Sequence, residues 1–251
     1  MRNQIVILAG GKGTRMGNPK VPKVLVMLKN KPLILYVLDE IEKIHQLAKP
    51  VIVVGFGAGK VQQVLGNHYL YAFQQKQLGT AHALMAAKNK VKAENILVLY
   101  GDHPFIKADS LKSLISAHFK SGSKISMLTT QVKNFTGSNK PFEHFAKIIR
   151  EPVSHQVVKI VEYKDATDTQ RKMKEVNPGI YMFNTKWLWE NIKKIGNNNA
   201  QKEYYLTDIV GIAIAQGEKV NSILVNPEEV IGINSAEDLA IAERRLQKAT
   251  K

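Results

Sequence analysis

Short apolar runs alternate along this chain with stretches whose apolar residues recur every three or four positions. Residues 5–9, 51–55, 96–100 and 125–129 are apolar runs of strand length without the in–out alternation of a half-solvated sheet. They predict strands buried on both faces, as in a parallel sheet. Between the first two, Leu33, Ile34, Val37, Leu38, Ile41 and Ile44 keep spacings of three and four, with Pro32 just ahead. That spacing predicts an amphipathic helix. Residues 110–119 and 236–246 have the same character. Strand–helix alternation of this kind predicts the α/β class: a Rossmann-like, mostly parallel open sheet with helices on both faces.

The pattern changes after about residue 131. Strands at 146–150, 157–163 and 176–183 are separated by polar loops, which predicts a smaller, more antiparallel lobe over residues 131–202. No linker rich in Pro, Gly or Ser divides it from the rest, so one domain spanning 1–251 is expected. No internal repeat or low-complexity tract occurs.

Composition narrows the function classes. Hydrophobic residues at 44% and charged ones at 23% are ordinary for a globular protein. The absence of cysteine excludes disulfide and thiolate chemistry and fits a reducing compartment. The run at 5–9 is too short for a signal peptide, and nothing approaches the roughly 20 apolar residues of a membrane span. A cytoplasmic protein is expected, with no membrane partner. The formal charge of +15 comes from 36 Lys and Arg scattered through nearly every segment. It fits a solvated surface or a small anionic partner, and without a basic block nucleic acid is not expected.

The candidate chemistry begins just after the first run, at Leu8-Ala9-Gly10-Gly11-Lys12-Gly13-Thr14-Arg15-Met16, followed by Pro22-Lys23-Val24-Leu25. A glycine-rich loop at the carboxyl end of a first parallel strand lies where open α/β sheets bind ligands. Its backbone N–H groups can approach phosphates closely. Lys12, Arg15 and Lys23 supply three cations in one short stretch, as a triphosphate needs. Neither the P-loop pattern nor the dinucleotide fingerprint fits, and Gly55–Gly59 has the spacing of a turn after a strand. Asp102 ends the apolar run from 95 to 100, at the carboxyl edge of a buried strand. It suits a hard-oxygen ligand for Mg²⁺ or a turn cap. Asn234 precedes a helix start, so an N-cap and a ligand role are both open. The seven histidines show no metal-binding spacing, and His82 reads as a local hydrogen-bonding residue.

Further blocks extend the pattern: Gln77-Leu78-Gly79-Thr80-Ala81-His82-Ala83, Leu99-Tyr100-Gly101-Asp102, Ile160-Val161-Glu162-Tyr163-Lys164-Asp165, Asn197-Asn198-Asn199-Ala200-Gln201, Glu203-Tyr204-Tyr205-Leu206-Thr207-Asp208 and Gly232-Ile233-Asn234. With the loop they make nearly the whole chain resemble the sugar-nucleotide pyrophosphorylases, and within them the uridyltransferases that make UDP-N-acetylglucosamine. The resemblance implies UTP and a sugar 1-phosphate as substrates and Mg²⁺ as cofactor. It also implies roles for named residues. Arg15 and Lys23 would contact phosphates and, with Asp102, carry catalysis. Leu8, Ala9, Gly10, Gly11, Gln74, Gly79 and Thr80 would form the uridine pocket. Asp102 and Asn234 would hold the metal. Glu162, Asn177 and Ala146 would meet the sugar, with Tyr100 and Gly101 beside it.

Three departures stand out. The bifunctional members continue into a hexapeptide-repeat β-helix with acetyltransferase activity; no such repeat occurs in residues 1–251, and acetyl transfer is not expected. The family's Gly-Tyr-Gly-Arg-Ile stretch stands here as His144-Phe145-Ala146-Lys147-Ile148, after a longer loop at 134–143. Its Asn-Thr-Gly is Asn177-Pro178-Gly179. The last two fall on the sugar side, which leaves uridylyl transfer to glucose 1-phosphate or another hexose 1-phosphate as the alternative. Readings from other classes are a non-catalytic regulatory relative, which would be expected to lose Arg15, Lys23 or Asp102, and a basic nucleic-acid-binding protein.

Overall fold

A computed structural model describes residues 3–17 and 20–248. In chain order its strands are β1 (Asn3–Ala9), β2 (Met27–Leu28), β3 (Lys31–Pro32), β4 (Leu47–Val54), β5 (Leu70–Phe73), β6 (Asn95–Tyr100), β7 (Ile125–Gln131), β8 (Ala146–Arg150), β9 (Val157–Val161), β10 (Glu175–Asn177), β11 (Tyr181–Asn184) and β12 (Val220–Val225). The helices are α1 (Leu33–Glu42), α2 (Ala58–Leu65), α3 (Thr80–Ala86), α4 (Ala108–Ser121), α5 (Asp168–Arg171), α6 (Thr185–Asn191), α7 (Asp208–Ala215) and α8 (Ala236–Lys248).

Ten strands form one open sheet in the order β5-β4-β1-β6-β11-β7-β10-β8-β9, with β12 parallel along β7; β2 and β3 make a separate hairpin. Parallel pairing joins β5, β4, β1 and β6. β11 is antiparallel to both β6 and β7, and β8, β9 and β10 continue the sheet in antiparallel fashion. This is the mostly parallel open α/β sheet that the alternation of runs predicts.

The central strands are buried on both faces, as their unbroken apolar character requires. Along β1, Ile5, Ile7 and Ala9 enter one core while Val6 and Leu8 enter the other. On β6, Leu97 and Leu99 face the first core, and Ile96 and Val98 the second. Helix α1 buries Leu33, Ile34, Val37, Leu38 and Ile41 on the first face. Helices α3 and α7 cover the second with Ala81, Leu84, Ile209 and Val210. Each such large aliphatic side chain contributes about 1.5–3 kcal/mol of burial.

The structure differs from the pattern over 176–183, where one strand is predicted and two are found. β10 and β11 are separated by Pro178-Gly179-Ile180. Pro178 has no N–H for a ladder. Gly179 has φ +78°, and its N–H donates to the Asn177 side chain at 2.9 Å, turning the chain. Among the described residues no helix is long and apolar enough to cross a membrane.

Candidate active site

Two loops meet backbone to backbone at the carboxyl ends of β1 and β4. Phe56 N–H donates to Gly10 O at 3.3 Å, and the Gln77 side-chain amide also donates to Gly10 O. A Cβ on Gly55 would lie 2.9 Å from Gly10 O, and one on Gly10 would lie 2.9 Å from Gln74 Oε1. Glycine at 55 is therefore a packing requirement against backbone, whereas a Cβ at 10 would displace the end of the Gln74 side chain, and the Gly55–Gly59 turn buttresses the first loop. Beyond it the chain turns left-handed at Gly13, φ +65°, into a 3-10 turn at Thr14–Met16 that leaves Arg15 exposed at the rim.

Two adjoining cavities open here. The smaller, about 240 Å³, is lined by Leu8, Ala9, Gly10, Gly11, Gln74, Gln77 and Gly79. The larger, about 500 Å³, is lined by Arg15, Ala146, Glu162, Asn177 and Asn234 among others. Lys23, Thr80, Tyr100, Asp102 and Glu203 line both and so mark where the cavities meet. Two residues singled out from the sequence line neither. Lys12 is exposed elsewhere. Gly101 lies behind the wall, its N–H donating to Leu8 O at 3.1 Å, and a Cβ there would meet Val24 Cγ1 at 2.9 Å.

At the junction the Lys23 ammonium donates to the Asp102 carboxylate and to Asn234 Oδ1, the latter at 2.6 Å. Burial raises the Asp102 carboxyl, but the neighbouring Lys23 outweighs it and holds the group below the ordinary carboxylate value. The residue after Asn234 takes the N-cap position of α8. Asp238 N–H donates to Ser235 Oγ at 3.2 Å, so Ser235 caps α8. Asn234 N–H donates to Asp238 Oδ2 at 2.9 Å, which leaves Asn234 Oδ1 for Lys23.

A carboxylate and an amide oxygen thus converge on one cation, with an ammonium standing where a metal ion could. Both are hard oxygen donors and fit a divalent ion such as Mg²⁺. No group of three or more His, Cys, Asp or Glu among the described residues could build an all-protein cage. An ion held by Asp102 and Asn234 would draw its other ligands from substrate phosphates and water, the usual state of Mg²⁺.

The larger cleft has features the sequence did not single out. Thr207 Oγ1 donates to Glu162 Oε1 at 2.8 Å. Asn177 Nδ2 donates to Tyr181 Oη at 2.6 Å, which fixes its amide beside the Pro178-Gly179 turn. His103 is buried against the junction, with Nε2 4.0 Å from Asp102 Oδ1 and its ring stacked 6.2 Å from that of Phe145. Burial lowers its pKa below the ordinary imidazole value, which favours the neutral ring. Its position directly after Asp102 was the available signal. The inserted loop becomes a 3-10 segment, Gly137–His144, which brings Lys140, Glu143 and His144 into the cleft wall. Lys140 Nζ reaches Glu237 Oε1 at the start of α8 at 2.8 Å.

A strand-end glycine loop, a junction of Lys, Asp and Asn, and two joined cavities form an arrangement that fits a nucleotidyltransferase. The match to the MobA-like NTP transferase domain over residues 5–175 shows that the chain belongs to that family. It is 42% identical over 250 residues to the bifunctional protein GlmU of Caldicellulosiruptor saccharolyticus, covering 98% of this chain and 52% of that protein. To GlmU of Oceanobacillus iheyensis it is 40% identical over 246 residues, covering 97% and 52%. The chain therefore spans about half the length of the curated relatives it matches. A UDP-glucose pyrophosphorylase complexed with UDP-glucose shares the fold, with a TM-score of 0.77 at 18% identity over 99% of this chain and 100% of that one.

Proposed function

We propose that this chain transfers the uridylyl group of UTP to N-acetylglucosamine 1-phosphate, giving UDP-N-acetylglucosamine and pyrophosphate, with Mg²⁺ as cofactor. The observation that carries this reading is the meeting of the two cavities at Lys23, Asp102 and Asn234. The smaller cavity suits a pyrimidine base and the larger a hexose phosphate. Gln74 Nε2 is taken by Gly79 O at 3.2 Å, which leaves Oε1 beside Gly10 as an acceptor for the base edge. A pocket of about 240 Å³ walled by glycine backbone favours a pyrimidine over a purine by size.

In the reaction a phosphate oxygen of the sugar 1-phosphate attacks the α-phosphorus in line and pyrophosphate leaves. Positioning and charge stabilisation carry such transfers, and no protein nucleophile is needed. Lys23, at the junction, would meet the α-phosphate, and Arg15, at the rim, the departing phosphates. A metal held by Asp102 and Asn234 would supply the positive charge that offsets repulsion between the two polyanions. Glu162 and Asn177 orient the hexose, and Ala146 forms the wall against it.

The test is pyrophosphate release from each nucleoside triphosphate with a panel of sugar 1-phosphates. UTP should be clearly preferred, and N-acetylglucosamine 1-phosphate should lead the sugars by a narrower margin. A methyl-sized change in a pocket wall, such as Ala146 where the family has glycine, is worth about 1–3 kcal/mol. Preference for dTTP or GTP would overturn the nucleotide assignment. Preference for glucose 1-phosphate would keep the mechanism and change the substrate. Arg15→Ala and Asp102→Asn should each lower turnover on the order of 10²-fold or more with the fold intact. Near-wild-type turnover of either at saturating magnesium would refute the site assignment.

A further inference from the structure

Lys147 is 0% exposed, yet among the described residues no carboxylate is bonded to its ammonium. Lysine is almost never fully buried without a partner, and an aliphatic side chain would fill the same space at lower desolvation cost. Its partners are backbone and rings. Nζ donates to the carbonyls of Glu143 at 2.9 Å and Phe142 at 3.3 Å, and lies 4.1 Å from the centre of the Phe135 ring. The two carbonyls end the 3-10 segment Gly137–His144, where orphan acceptors and partial negative charge gather. Phe145 N–H closes the same turn onto Phe142 O at 3.2 Å.

Strand alternation sets what this contact controls. Ala146 lines the larger cleft, and Lys147, one position on, lies on the opposite face of β8. From there its ammonium ties down the chain that precedes Ala146. Glu143, His144 and Phe145 in that chain line the cleft, with the His144 ring 4.7 Å from that of Tyr163 in an edge-to-face contact. The wall of the larger cavity is thus set from behind by a residue that does not line it. Burial, with Lys174 nearby, pushes the Lys147 ammonium down to about 8, and it stays largely charged near neutral pH.

We propose that Lys147 is a positioning residue for sugar specificity, holding the Phe142–Phe145 turn as the cleft wall without touching substrate. This rests on the uridylyltransferase reading, under which the larger cleft takes the hexose and the smaller one the base. Wild type, Lys147→Met and Lys147→Arg should be compared in KM for each substrate and in hydrogen exchange at the Phe145 amide. Lys147→Met is expected to raise KM for the sugar 1-phosphate about tenfold or more, leave KM for UTP within about twofold, and speed exchange at Phe145. Lys147→Arg should recover most of the loss, because guanidinium also donates to carbonyls. Equal rises in both KM values, an unchanged sugar KM with a loosened turn, or an arginine variant as poor as the methionine one would each overturn the proposal. Should Lys147→Met fail to fold, Phe135→Leu removes the ring contact and should move the sugar KM the same way; no shift there counts against the proposal. If wild type releases no pyrophosphate from any pair, the uridylyltransferase reading fails. Unchanged exchange at Phe145 would then separately refute the anchoring.

Discussion

Burial pushes the Glu162 carboxyl up to about 7, against the hydrogen bond from Thr207 and with the help of Asp208, Asp165 and Glu203. In the unfolded chain the same carboxyl titrates near 4.5. Between those pH values the folded protein binds the extra proton, so stability falls as pH rises from about 4.5 to 7 and then levels off. Glu162→Gln keeps an Oε1 to accept from Thr207 and carries no charge. Urea unfolding at pH 8 should show it more stable than wild type, by up to about 3 kcal/mol, and the gain should vanish near pH 4.5. Equal gains at both pH values would mean that ionisation is not the cause. Sugar binding should weaken in the same variant, as expected where a site is held at the expense of stability. At this scale the sequence singled out Asp102, just past the end of β6, and Lys23, in the 3-10 turn after the glycine loop, and the structure brings the two side chains together. The sequence did not reveal the burial of Lys147 or His103, because burial of a cation or an imidazole depends on what packs over it, and the longer loop at 134–143 has no periodic signal.

The entry to α3 shows how much one glycine can hold between elements. Gly79 has φ +109°, and a Cβ there would sit 2.5 Å from Tyr204 O and 2.7 Å from Tyr204 N. The two segments are bonded across this contact: Tyr204 N–H donates to Leu78 O at 2.8 Å, and Ala81 N–H to Tyr204 O at 2.9 Å. Leu206 N–H adds a bond to Thr80 Oγ1 at 2.9 Å. Gly79→Ala must part these strands of backbone, at about 2 kcal/mol or more of stability. Because Gly79 lines the smaller cavity, KM for UTP should rise about tenfold while KM for the sugar 1-phosphate changes far less. A variant with wild-type melting and unchanged KM for UTP would show that the clasp is dispensable. The family block around Gly79 pointed to this residue, but its partner Tyr204 lies 125 positions on in another block, and no local pattern links them. Elements with strong periods, such as α1 and β6, were legible for the opposite reason, since their own burial pattern defines them. The split of residues 176–183 into β10 and β11 was not foreseen, although Pro178-Gly179 is a turn signal, because apolar residues flank it on both sides.

Across the whole molecule, an excess of 36 Lys and Arg over 21 Asp and Glu produces a field that draws anions. A basic surface alone would also suit nucleic acid. The cleft argues otherwise, because Glu143, Glu162, Glu203, Glu237 and Asp238 line it and would repel a phosphodiester backbone laid across it. Arg15 at the rim of the larger cavity and Lys23 at the junction instead place two cations along one short path, suited to one compact polyanion. Long-range attraction of that kind acts on encounter and is screened when the Debye length shrinks from about 10 Å at 0.1 M salt to about 3 Å at 1 M. Charges within the bound complex are screened much less. Raising sodium chloride from 0.05 to 0.5 M should therefore lower kcat/KM for UTP about three- to tenfold while kcat at saturation stays within about twofold. Single- and double-stranded oligonucleotides at micromolar concentration should not compete with UTP, since the acidic cleft gives them no continuous basic track. A salt-independent kcat/KM would mean that the surface charge has no part in capture. Competitive inhibition by oligonucleotides, losing strength steeply with salt, would instead show that the basic surface serves a nucleic acid and that the nucleotide site lies on its path.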